Sequence, residues 1–215
     1  MMKSVYSLVL TDEVVQEIDR AAYAENTSRS NLINRILADY VSYVTPEKRM
    51  REVFRSIERI LTGGDNFQVL LQPSESMFSL RSALAYKYNP NVRYSVELYE
   101  NASPALGELR VSLRSQNSTL MLYMLQFFKL FSKVEQSYIG AVECDMEGGR
   151  YVRKLAVRRG SDAENSEIGQ SIADYIGLFD ACLKAFFGEL GDPNAAVSDV
   201  DRLYGDYVRT HNIIL

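Results

Sequence analysis

The chain has 215 residues, 47% of them hydrophobic, and a formal net charge of −4, which is enough apolar content for a sizeable core and unlike a disordered protein. That charge excludes a protein that coats nucleic acid through clustered Lys and Arg, so any DNA contact must be local. One histidine, His211, and two widely separated cysteines, Cys144 and Cys182, offer no basis for imidazole catalysis, a disulfide framework or a zinc knuckle. No segment approaches the roughly 20 apolar residues of a membrane span, and the start MMKSVYSLVL lacks the apolar core and cleavage site of a signal peptide; a cytoplasmic location is expected.

Val5 to Leu10 is a short run of β-formers ending at Thr11-Asp12-Glu13, a helix start with a threonine cap and acids in the first turn. Val14, Ile18, Ala21 and Ala22 recur at helical spacing, and the helix they define ends near Glu25-Asn26, where asparagine suits a left-handed turn. Ser28 caps a second helix with the stripe Leu32, Ile33, Ile36, Leu37 and Tyr40, which closes before Pro46. A lone strand leaves its backbone groups unpaired, and two short helices bury too little surface to stand alone. The unit therefore needs a second copy. Antiparallel pairing of two strands across a two-fold axis turns Tyr6, Leu8 and Leu10 inward, where they join Val14, Ile18, Leu32, Ile36 and Tyr40 in a dimer core, and turns Val5, Ser7 and Val9 outward.

The segment SVYSLVLTDEVVQEIDRAAYAENTSRSNLINRILADYV, with the turn Asn26-Thr27-Ser28-Arg29-Ser30 between its helices, resembles the ribbon-helix-helix repressors of the Arc, MetJ and CopG type over residues 3 to 44. The resemblance implies paired strands in the major groove of double-stranded DNA, with three outward side chains reading bases and the second helix presenting its N-terminus to a phosphate. On this chain Val5, Ser7 and Val9 then face the bases, while Lys3, Ser28 and Arg29 face the backbone. Two valines around one hydroxyl can pack on thymine methyls but cannot read a guanine, so the implied readout is weak or biased to A·T.

Following Pro46, a helix of mixed charge runs to Leu61 and ends at Thr62-Gly63-Gly64; it reads as a linker whose Arg49, Arg51, Arg55 and Arg59 lie on a solvated face. Short β-like runs cover 67–71, 84–88, 92–99 and 109–114, with a hairpin expected at Asn89-Pro90-Asn91. One face of that sheet carries Leu84, Tyr86, Tyr88, Val92, Tyr94, Val96, Leu98, Leu109, Val111 and Leu113. The other carries Lys87, Arg93, Glu97, Arg110 and Arg114, a wet polar side that could also take an anion. Residues 119–131 are apolar nearly all round and form a buried helix, whose methionines and aromatics could line a pocket for an apolar effector. A second hairpin, 138–145 with 151–158, carries Arg150, Arg153, Lys154, Arg158 and Arg159, the strongest basic cluster in the chain. A capped helix from Ser161 through Phe186 and a last helix after Pro193 are acidic, and their carboxylates read as solvated faces.

No GxGxxG, GxxxxGK[ST], GxSxG, HExxH or CxxC pattern occurs, and the absence of His and Cys ligands argues against a nickel sensor. The expected fold class is α+β: a ribbon-helix-helix module of one strand and two helices, dimeric, at 1–45, a linker helix at 46–64, and an antiparallel-sheet domain packed with helices at 65–215. The expected function is a dimeric DNA-binding transcriptional regulator without catalytic activity, cofactor, metal or membrane attachment. Its partners are double-stranded DNA, a second copy of itself or a higher oligomer, and a small-molecule or protein effector at the C-terminal domain. The alternative is an antitoxin-like or other protein-interaction protein that uses the module mainly to dimerise.

Overall fold

The computed structural model describes residues 6–70, 74–100, 105–146, 148–157 and 163–211. The chain divides into two compact units, Met1–Arg49 and Met50–Leu215. In chain order the described elements are α1 (Asp12–Ala24), α2 (Arg29–Tyr40), α3 (Pro46–Leu61), β1 (Gln68–Val69), β2 (Met77–Ala83), β3 (Asn91–Leu98), β4 (Gly107–Leu113), α4 (Ser118–Ile139), β5 (Cys144–Asp145), β6 (Arg150–Leu155), α5 (Asn165–Gly188) and α6 (Pro193–Thr210). The class is α+β, with the strands in one antiparallel sheet of order β1-β2-β3-β4-β6-β5. No described helix is long and apolar enough to cross a membrane.

Alternation organises the sheet. Val92, Tyr94, Val96 and Leu98 on β3, and Leu109, Val111 and Leu113 on β4, are all buried, as the two-residue period dictates. Phe78 and Leu80 of β2 lie opposite Val96 and Tyr94 and extend the same apolar face. Where the strands come closest, between β3 and β4, Gly107 is required, because a Cβ there would collide with the carbonyl oxygen of Glu97.

The strand expected at 84–88 is a turn. Tyr88 and Asn89 both adopt left-handed φ values, 68° and 43°, and Leu84 N–H donates to the Pro90 carbonyl at 2.9 Å to close the loop. The hairpin partner of β3 is instead Met77–Ala83. Leu84 keeps its place in the core, whereas Tyr88 is 89% exposed.

Four helices supply the remainder of the core. Phe127, Phe128 and Phe131 of α4 meet Phe179 of α5, with the closest ring pair, Phe131 and Phe179, 4.5 Å between centroids. Tyr94 and Tyr151 from the sheet pack on that same Phe179 ring. Helix α4 runs to Ile139, so Tyr138 belongs to its last turn and the expected strand 138–145 shrinks to Cys144–Asp145. Gly140, at φ 83°, ends the helix.

Helix α3 differs from the expected solvated linker. The unit boundary falls inside it, and Met50, Val53, Phe54, Ile57 and Leu61 are buried along one face while Arg51, Arg55 and Arg59 stay exposed. Phe54 stacks on Phe78 at 5.8 Å, and Gly169 of α5 lies so close to α3 that a Cβ would meet Val53 O at 2.8 Å.

The basic hairpin is also redistributed. Arg153 sits on the inward row of β6, opposite Leu109, and is only 3% exposed. Its Nε donates to Glu135 Oε1 of α4 at 2.9 Å, and its guanidinium lies 4.5 Å above the Tyr175 ring. Glu135 further accepts from Tyr151 Oη at 3.0 Å and from Tyr204 Oη at 3.3 Å, so three elements, α4, β6 and α6, meet at one carboxylate. Arg158 and Arg159 lie outside the described residues. One acid of the expected solvated tail, Asp180, is buried and accepts from Tyr94 Oη at 2.9 Å while pairing with Lys184 at 2.7 Å.

Removing one partner of a buried ion pair strands the other charge. Glu135→Ala is expected to lower unfolding stability by about 3–5 kcal/mol in urea titrations. A loss of less than about 1 kcal/mol would show that Arg153 finds another acceptor.

Candidate nucleic-acid interface

Among the described residues of the N-terminal unit, regular structure starts at α1. Thr11 has the extended backbone of a cap residue, and its carbonyl accepts from Val15 N at 3.1 Å, but its side chain makes no cap hydrogen bond. Asn26 takes the left-handed turn expected of it, at φ 53°, and returns the chain toward α2. Ser28 caps α2 as expected, with Oγ accepting from Asn31 N at 3.3 Å.

Side-chain ion pairs tie the two helices together. Arg29 grips Asp19 with both arms, Nε at 2.6 Å and Nη2 at 2.5 Å, and Arg35 pairs with Glu25. Asp19 and Arg29 stand ten residues apart in sequence, and it is the turn at Asn26 that brings them face to face. Of the residues assigned to phosphate, Ser28 is therefore exposed and engaged in capping, Arg29 is engaged by Asp19, and Lys3 lies outside the described residues.

The unit holds little of its own apolar surface. Ala22, Leu32 and Ala38 are its buried side chains among the described residues. Of the expected dimer core, Leu32 is buried and Ile18 half-buried, whereas Tyr6, Leu8, Leu10, Val14, Ile36 and Tyr40 are exposed. Leu37 of the second helix's stripe is exposed too, as are Tyr23, Val41, Tyr43 and Val44, which the expected core does not include. Residues 6–11 form no strand, Ser7 and Val9 point into solvent with Val9 fully exposed, and Val5 lies outside the described residues.

In the C-terminal unit, the methionines and aromatics of α4 are the expected lining of a pocket for an apolar effector. Met124, Phe127, Phe128 and Phe131 of α4 are spent on the core. A shallow depression beside Glu52 and Asn165 has its polar groups paired, Asn165 Nδ2 donating to Glu52 Oε2 at 2.7 Å. Among the described residues no three His, Cys, Asp or Glu side chains gather as a metal site.

Hydrogen bonds from Arg29 hold the Asp19 carboxyl below its ordinary value of 3.8. A depressed carboxylate stabilises the folded unit above its unfolded value, and that contribution is lost as pH falls through the lowered one. The Asp19 carboxylate carbon followed by NMR is expected to titrate below 3.8 in the wild type, and to move back toward it in Arg29→Ala. Equal midpoints in the two proteins would mean that the pair does not form in solution. Comparison of the chain with protein-family models, with curated proteins and with solved structures finds no match in any of the three.

Proposed function

We propose that this chain is a dimeric, DNA-binding transcriptional regulator whose N-terminal unit acts as a ribbon-helix-helix module. The observation that carries the reading is the apolar surface that one copy leaves in water. Tyr6, Leu8, Leu10, Val14, Ile36 and Tyr40 are exposed together on a unit with few buried side chains, and a second copy of that unit would cover them. Residues 6–11 before α1 have no ladder partner among the described residues, and an antiparallel strand from the second chain would supply it. Pairing in the register that turns Leu8 and Leu10 inward turns Ser7 and Val9 outward, toward the major groove.

The DNA contact would rest on the Ser7 hydroxyl, the methyls of Val5 and Val9, and the exposed N-terminus of α2, with Lys3 reaching the backbone. Arg29 would join it by exchanging Asp19 for a phosphate oxygen, a swap between two acceptors of like geometry. Such a regulator works in the cytoplasm and performs no catalysis. A second reading, an antitoxin-like or other interaction protein in which the module only dimerises, draws on the apolar Val9 and on the Asp19 clamp that keeps Arg29 occupied.

The reading predicts a solution mass twice that of the chain by light scattering, and a shift of DNA taken from upstream of the coding region. Leu8→Asp with Leu10→Asp should give monomers that no longer shift it, because two charges would sit in the dimer core. Ser7→Ala should alter preference at one base position while leaving the mass unchanged. A dimer that shifts no duplex at moderate salt would leave only the dimerisation reading.

A further inference from the structure

The outward face of the sheet bears a row of arginines. Strand pairing aligns Gln68, Arg81, Arg93, Ser112 and Arg150 across β1, β2, β3, β4 and β6, and alternation turns this row away from the core. Arg81 and Arg93 are direct cross-strand partners, an arrangement that like charges disfavour.

Neutral acceptors hold these guanidinium groups. Arg81 Nε donates to Gln68 Oε1 at 3.0 Å, and Arg93 donates from Nε to Ser95 Oγ and from Nη2 to Ser79 Oγ, each at 3.2 Å. Arg150 has no polar partner among the described residues. The carboxylates of the face, Glu97 and Glu108, are already engaged: Arg110 pairs with both at 2.8 and 2.5 Å, and Lys154 with Glu108 at 2.5 Å. Arg81, Arg93 and Arg150 thus lie on an exposed surface without a carboxylate partner among the described residues, the first two held in place by neutral acceptors.

We propose that this face is a DNA-backbone contact separate from the ribbon, with Arg81, Arg93 and Arg150 binding phosphates of a duplex. With strands about 4.8 Å apart, the row spans about 15 Å, a length matched to a polyanion rather than to one small anion. A duplex presents a phosphate per strand for about every 3.4 Å of its axis, and the guanidinium fork fits phosphate oxygens in pairs. The outward positions of β2, β3, β4 and β6 carry no aromatic side chain, and Tyr99, just past β3, is engaged by Glu108 and Lys154, so the arginine row offers charge rather than a stacking platform for single-stranded bases. The inference shares with the regulator reading only its ligand.

The test measures anisotropy of a labelled duplex of arbitrary sequence, titrated with full-length protein over a range of salt. Arg93→Gln with Arg150→Gln is expected to weaken binding about tenfold or more and to make the slope of log K against log salt shallower by about two per bound protomer. Arg150→Gln alone, which loses no hydrogen bond, is expected to give about half that change in slope. Unchanged affinity and slope would overturn the proposal. So would a fall in solution mass for the double variant, which would assign the face to the acidic helices of a second copy. Val9→Glu separates this site from the ribbon. If Val9→Glu abolishes duplex binding and the arginine variants do not weaken it, the regulator reading stands alone. If only the arginine variants weaken it, the sheet contact stands and the ribbon loses its role.

Discussion

Four strands, β2, β3, β4 and β6, impose a two-residue period on the C-terminal unit, and nearly every other feature of that unit answers to it. Their inward rows are apolar and are covered by α3, α4 and α5, with α6 packed on α4 and α5. Their outward rows are mostly polar, with hydroxyls, arginines, a lysine and two carboxylates beside Met77, Ala83, Asn91 and Val152. A one-residue slip in any ladder would bury arginines and expose Phe78, Tyr94, Val111 and Tyr151, so the register is strongly specified. Gly107 guards it at the closest approach of β3 and β4.

Arg153 is the charged inward position among the described strands, and the fold accommodates it with a built partner set. Glu135, Tyr151, Tyr204 and the Tyr175 ring come from α4, β6, α6 and α5, so the ion pair can form only when the sheet and three helices are in place. Burial raises the tyrosine hydroxyls far above their ordinary value and keeps them neutral donors to that carboxylate. A polar group of this kind specifies an arrangement as well as stabilising one.

The two units meet the same demand in opposite ways. The C-terminal unit buries its aromatic surface within one chain. The N-terminal unit has two short helices, held together by the Arg29–Asp19 and Arg35–Glu25 pairs on their surface, and leaves most of its large apolar side chains in water. Exposed ion pairs of this type add little to stability, so the helices depend on further burial. A homodimer through the segment before α1 is the source of burial that the function proposed here requires.

Periodicity was enough to read α1, α2, β3, β4, the buried α4 and the long α5 in the sequence, because each is local and repeats its pattern over several turns or pleats. Composition likewise excluded a bundle of catalytic histidines and a non-specific nucleic-acid coat. What depended on long-range contact was not legible. Strand β2 escaped notice because Ser79, Arg81 and Ser82 dilute its pattern, and Tyr86 and Tyr88 imitate a strand in what the backbone makes a turn. Arg153 read as one member of a basic cluster and Asp180 as a solvated acid because nothing near them in sequence announces Glu135 or Tyr94. The ribbon face of Val5, Ser7 and Val9 follows from alternation in the sequence alone, whereas the alignment of Arg81, Arg93 and Arg150 exists only once tertiary pairing sets the register, since Arg150 comes from a strand far along the chain from the hairpin of β2 and β3.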